Sequence, residues 1–194
     1  MMKQQQGSTI SSARWRHRST VLALVIGALS MVACAPNSAH ESSSTVDSAA
    51  QSTELCLLTA AQHESNTREG ISIDAELALN EERRSQGLMH REALAENAGM
   101  LFYYPRAEYR GFWMFQTLIP LDIAFLDDEG RILQIKTMEP CMSSIPHHCP
   151  GYRSNAQARA ALELNAGAFA QFDISEGDYV FNASCERSPW ADGW

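Results

Sequence analysis

Through the middle of the chain, apolar residues recur at every second position. Ile71, Ile73, Ala75 and Leu77 alternate with Ser72, Asp74 and Glu76, the pattern of a strand with one buried face. Asn80-Glu81-Glu82-Arg83-Arg84-Ser85-Gln86-Gly87 follows, with a cap residue, acids in the first turn, bases in the last and Gly just beyond; it predicts a short helix. Met100 to Tyr104 and Phe112 to Phe115 are aromatic-rich and end at Pro105 and at Gln116-Thr117, which predicts two further strands. Leu121 to Leu126 and Arg131 to Ile135 predict a hairpin around Asp127-Asp128-Glu129-Gly130, with Gly130 where a turn needs positive φ. Residues 156–171 read two ways. Their alanines favour a helix, whereas Ala161-Leu162-Glu163-Leu164 before Asn165-Ala166-Gly167 reads as a strand entering a turn.

The N-terminal pattern is different. Lys3, Arg14, Arg16 and Arg18 precede a thirteen-residue run from Val21 to Ala33 that ends at Cys34. A basic segment, a short apolar segment and small residues at a cleavage point make a secretory signal peptide, and the run falls short of the about 20 residues needed to span a bilayer. A cysteine directly after that point resembles a bacterial lipoprotein signal, with Met31 in place of the usual Leu. We therefore expect residues 1–33 to be a signal peptide and Cys34 to carry the lipid that anchors the chain to a membrane. Two or three acyl chains hold stably where one holds marginally. Ala35 rather than Asp after the cysteine points to the outer membrane, facing the periplasm, if the source is Gram-negative. Residues 34–54, rich in Ser and Ala and without apolar period, read as a flexible tether, spanning roughly 25 Å on average. Residues 55–185 suit one domain of common size, and residues 186–194 read as a loose tail.

Charge narrows the partners. Taking four basic residues from fifteen leaves eleven against 23 acidic ones, so the mature chain carries a net charge of −12. Outside the removed segment there is no run of Lys or Arg to neutralise phosphates, and no nucleic-acid partner is expected. An acidic surface is also repelled by anionic lipid, which leaves the acyl chains to hold the membrane.

Without Cys34 four cysteines remain, an even number in an oxidising compartment. We expect disulfides Cys141–Cys149 and Cys56–Cys185. The competing reading is a soft-metal site, because Met138, Cys141, Met142, His147, His148 and Cys149 crowd into twelve residues, and thiolate, thioether and imidazole together select Cu(I) or Zn. Of these, Met138, Cys141, His147 and Cys149 form the candidate ligand set.

The order of several short blocks is more specific than any single one. Arg84-Ser85-Gln86-Gly87-Leu88-Met89, Gly99-Met100-Leu101-Phe102, Phe112-Trp113-Met114 with Thr117, Pro120-Leu121-Asp122-Ile123-Ala124-Phe125, Met138-Glu139-Pro140-Cys141, Leu162-Glu163-Leu164-Asn165-Ala166-Gly167 and Gly177-Asp178 resemble the DUF192 (UPF0127) family over about residues 71–182. The resemblance implies an α+β fold, a single compact domain with a curved, barrel-like, mostly antiparallel sheet and one or two short helices, and it implies a strand at 160–164. It brings no established activity. Phe115-Gln116 departs from the family's usual Lys-Asn, so a cation found there in relatives is missing.

Polar residues inside these apolar blocks mark where chemistry can sit. Thr117, Asp122 and Glu163 lie by strand ends and Arg84 ends the helix, so they are expected to converge on a cleft walled by Trp113 and Tyr152. An Arg, acids and aromatics around a concave surface suit a small polar ligand such as a glycan or peptide fragment. A purely structural alternative is an ion pair, Arg84–Asp122 or Arg84–Glu163, fixing helix to sheet. Asp122 and Glu163 could also serve as the two carboxylates of a glycan hydrolase. No G-x-S-x-G elbow, H-E-x-x-H or phosphate-cradling Gly loop occurs, and no cofactor is expected. The leading expectation is a non-enzymatic, lipid-anchored binding or accessory module, ahead of an envelope glycan hydrolase and a copper-handling lipoprotein.

Overall fold

The computed structural model describes residues 51–193. The expected signal peptide, Cys34 and the tether as far as residue 50 lie outside the described residues. Within them the elements run β1 (Ser52–Leu58), α1 (Ala60–Glu64), β2 (Ile71–Ala78), α2 (Glu81–Gln86), β3 (Ala98–Trp113), β4 (Leu121–Leu126), β5 (Ile132–Met138), β6 (Gly151–Asn165), α3 (Ala168–Gln171) and β7 (Tyr179–Asn182). The strands form one curled half-barrel sheet in the order β5-β4-β6-β3-β2-β1-β7. Every pairing is antiparallel except β2 with β3.

The predicted strand at 71–77, the helix and the hairpin all form. Asn80 caps α2, its Oδ1 accepting from the Arg83 N–H at 2.8 Å, and Gly87 ends it at φ +50°. Asp127 closes the hairpin turn by accepting from the N–H groups of Glu129 and Arg131. The two strands expected around Pro105 are instead one sixteen-residue strand, β3. Proline is tolerated because the pairing register slips between Tyr103 and Glu108, a bulge in which its missing N–H is not called on to donate. The ambiguous segment is strand as far as Asn165, and only its end is helical. Ala158, Ala160 and Ala161 are fully buried there, so packing between neighbouring strands overrides their helix propensity.

Both termini of the domain extend further than expected. Ser52, Thr53 and Glu54, assigned to the tether, already pair with β2, Ser52 lying opposite Glu76; backbone pairing needs no apolar side chain. The C-terminal segment is not loose, since Trp190 is buried and its Nε1 donates to the Asp128 carbonyl at 2.8 Å.

The sheet has an apolar core on each face. All seven strands supply the concave core, including Leu57, Ile73, Leu101, Leu126, Ile132, Leu162 and Val180. On the convex face Met100, Phe102, Leu121, Ile123, Phe125, Met138 and Ala161 pack with Leu88 and Met114 from the connecting loops. The edges of the curled sheet meet at one end, where Arg131 bridges Tyr179 and the Val180 N–H donates to the Gly130 carbonyl at 2.8 Å. Gly130 is required there, with φ +85° and a Cβ position only 2.4 Å from that carbonyl's partner strand, at Val180 O.

Both expected disulfides form, Cys56–Cys185 and Cys141–Cys149. Among the described residues no helix is long and apolar enough to cross a membrane.

Candidate functional site

Alternation along β6 decides which side chains reach the site. Leu162 and Leu164 enter the concave core, so Glu163 between them faces the convex side. There it lies opposite Met100 of β3 and Ile123 of β4, both fully buried. The result is a carboxyl group set into an apolar layer, 5 % exposed.

Above it is a narrow slot of about 30 Å³, lined by Arg84 to Met89, Phe102, Phe112, Trp113, Thr117 and Glu163. Its roof is the end of α2 and the turn after it. That turn is tied to the opposite wall where the His90 N–H donates to the Gln116 carbonyl at 2.8 Å, with His90 at φ +63° and Gln116 at φ +54°. Thr117 is 4 % exposed and Trp113 stands at the mouth, 47 % exposed. A volume of this size holds about two waters or one small functional group, not a sugar ring.

No hydrogen bond or ion pair reaches the Glu163 carboxyl from the described residues. No sealed side-chain oxygen or nitrogen lacks a partner, so the Glu163 oxygens keep their contact with the slot. Burial pushes this carboxyl up to about 8, and at neutral pH it is mostly the acid, able to donate as well as accept.

Four of the expected site residues therefore meet at the slot: Arg84, Trp113, Thr117 and Glu163. Asp122 does not. It is one register step away, opposite Leu164, while Ile123 is opposite Glu163, so the two carboxylates project from opposite faces. Asp122 instead accepts from Thr137 Oγ1 at 2.7 Å and from the Gly167 N–H at 2.8 Å, fixing β5 and the turn into α3. Tyr152 packs at the margin of the convex core and its hydroxyl accepts from the Glu139 N–H; it is not a wall of the slot. Neither expected ion pair of Arg84 forms. Arg84 Nη1 donates to the carbonyls of Leu79 and Tyr103, at 2.6 and 3.2 Å, and its guanidinium lies 5.0 Å from the Tyr104 ring centroid.

The hydrolase alternative loses its geometry with Asp122, because paired acid and base must face one bond. The soft-metal set also comes apart. Cys141 and Cys149 are bonded to each other, Met138 is buried in the convex core, and His147 sits with His148 in an exposed 3-10 turn, their rings 4.7 Å apart. Among the described residues no three His, Cys, Asp or Glu side chains cluster to hold a metal.

Sequence reading missed the residues that hold the roof in place. Glu76 of β2 takes Arg83 at 3.0 Å and Arg91 at 2.6 Å. Burial works against its charge, yet the bonds and charges of Arg91 and Arg83 outweigh it and keep the carboxyl below the ordinary range. Asn165 adds a second clamp, its Nδ2 donating to the Leu94 and Ala95 carbonyls. Asp178 accepts from Ala60 N–H and Ser175, so the Gly177-Asp178 block serves the fold.

Comparison with known proteins agrees with this architecture. A crystal structure from Sinorhizobium meliloti 1021, named provisionally as a transcription regulator, is 30 % identical, with a TM-score of 0.58 over 70 % of this chain and 96 % of that one. A protein of unknown function from Novosphingobium aromaticivorans is 27 % identical, with a TM-score of 0.57 over 70 % and 88 %. No curated protein matches. The model of DUF192, described as an uncharacterised ACR, matches residues 62–181. The chain belongs to the DUF192 family.

Proposed function

We propose that the domain is a non-enzymatic binding module whose slot takes one small hydrogen-bonding group of a polar ligand against Glu163, with Thr117 beside it and Trp113 at the mouth. The observation that carries this is the unpartnered Glu163 carboxyl. A carboxyl in an apolar layer costs stability unless something pairs with it, and this one lines the slot. A ligand hydroxyl or amide entering there would supply the missing partner. The width of the slot restricts the entering part to a terminal group, while the rest of the ligand lies across Trp113.

The same reading places the module at the cell envelope. The signal-like N-terminus, Cys34 and the even set of disulfide-bonded cysteines support export and lipid anchoring. A net charge of −8 for the whole chain, with no basic run beyond the N-terminal segment, argues against a nucleic-acid partner. Radiolabelled palmitate should enter the wild-type chain and not the Cys34→Ala variant; equal labelling sinks the anchor.

The slot is tested by a thermal-shift screen of small hydroxyl, amide and carboxylate compounds on wild type and Glu163→Leu side by side, since leucine removes both the donor and the acceptor. Compounds that stabilise the wild type should lose most of that shift in the variant. Equal shifts in both would move the binding site elsewhere.

A further inference from the structure

Next to the slot is a wider cleft, about 320 Å³, lined by Arg84, Tyr104, Pro105, Arg106, Glu108 and Arg110. Arg84 belongs to both. We propose that this cleft is an anion subsite, and that the ligand bears a carboxylate that binds here while its neighbouring hydroxyl or amide enters the Glu163 slot. The proposal rests on the slot reading above for the second half of the ligand, though not for the carboxylate itself.

Charge distribution carries the inference. In an acidic chain, three arginines line one cleft, and two of them gather at one aromatic side chain. Arg110 lies 3.7 Å and Arg84 5.0 Å from the Tyr104 ring centroid, so the ring holds both cations by its face. Only one acid answers them: Glu108 is 3.5 Å from Arg110, and among the described residues neither Arg84 nor Arg106 makes an ion pair. Burial first, and then the charges of Arg84 and Arg159, work against Arg110 and hold its guanidinium below the ordinary range. Gathering like charges without matching acids costs stability that a surface under no other constraint would avoid by dispersing them.

Preorganisation is also visible. Arg84 spends Nη1 on two backbone carbonyls, and Arg110 spends its Nε on the Ala158 carbonyl at 3.2 Å and Nη2 on the Arg106 carbonyl. These bonds fix the two guanidiniums and leave the remaining N–H edges of Arg84 for a ligand. Arg106 is exposed and lines the cleft, and among the described residues its side chain has no hydrogen-bond or ion-pair partner. Fixed arginines suit a planar carboxylate, which accepts two parallel N–H bonds.

The shared chemistry, a carboxylate beside an amide or hydroxyl, occurs both in free acids and at a peptide C-terminus. N-acetyl-alanine and lactate represent the two sources, and N-acetyl-alaninamide removes the carboxylate. Each is titrated by NMR into the disulfide-bonded domain as wild type, Arg106→Gln, Arg106→Lys and Glu163→Leu. N-acetyl-alanine, lactate or both should bind, shifting the Arg84 and Arg110 side-chain N–H signals, with the acid bound about tenfold more tightly than its amide. Arg106→Gln should weaken the acid several-fold and Arg106→Lys should restore most of it; which acid binds better separates the sources. If acid and amide bind alike and only Glu163→Leu weakens them, the subsite is wrong and the slot stands. If the acid binds wild type and Glu163→Leu equally but loses affinity in Arg106→Gln, the subsite stands and the slot reading fails. No binding of either acid to the wild type overturns the subsite.

Discussion

Asp122 and Glu163 lie on paired strands one register step apart and project from opposite faces of the sheet. Both oxygens of Asp122 accept a hydrogen bond, and among the described residues none reaches the Glu163 carboxyl. They should therefore respond to substitution in opposite ways. Asp122→Ala strands Thr137 Oγ1 and the Gly167 N–H, and should cost about 2–4 kcal/mol in urea unfolding. Glu163→Gln, which strands nothing and does not ionise, should raise stability near neutral pH. Equal destabilisation by both would mean that Glu163 too is a structural group.

Glu163 also sets a pH dependence with an unusual sign. Its folded carboxyl is raised to about 8, above the usual 4.5. The folded state then holds a proton that the unfolded chain has released, and stability is full below about 4.5 and falls as pH rises toward and through 8. The loss should be on the order of a few kcal/mol across that window, and the difference between wild type and Glu163→Gln should trace it. Melting temperatures of both proteins from pH 5 to 9 check this; parallel curves would contradict it.

The closing seam of the half-barrel depends on Gly130. Alanine there meets Val180 O at 2.4 Å and takes φ +85°, so Gly130→Ala should destabilise by about 2 kcal/mol or more. Hydrogen exchange should show the Val180 and Ile132 amides losing protection first, since both donate across the seam.

Disulfide removal should be graded by loop length. The loops close over 129 and 8 residues, so Cys56→Ala/Cys185→Ala should cost about 5 kcal/mol and Cys141→Ala/Cys149→Ala about 2.5 kcal/mol in the chain-entropy model. The larger loss should also release Trp190 from the Asp128 carbonyl, read as a red shift of tryptophan emission.

The helix at Asn80, the hairpin at Gly130 and both disulfides were legible because local signals agree with the fold: a cap residue, a positive-φ glycine and paired cysteines. Three features were not. Pro105 looked like a strand end because a bulge in the partner pairing cannot be seen in one strand. Asp122 looked like a site residue because a single register step, invisible without the partner strand, turns it to the other face. The clamps at Glu76 and Asn165 carry no local signal because their partners, Arg91 and the Leu94 carbonyl, sit in a loop without periodic pattern. Of the candidate cleft, the residues on the family-like blocks around Gly87 and Trp113 converge as expected, and the arginine cleft beyond Pro105 does not show in the sequence at all.

The most direct measurement is a ¹³C NMR titration of the Glu163 carboxyl, assigned against Glu163→Gln, in the free protein and with a compound that raises its melting temperature. The predicted result is a free-protein midpoint of about 8 that moves when the compound binds. A midpoint in the ordinary glutamate range, or one that binding leaves in place, would contradict the role given to this slot.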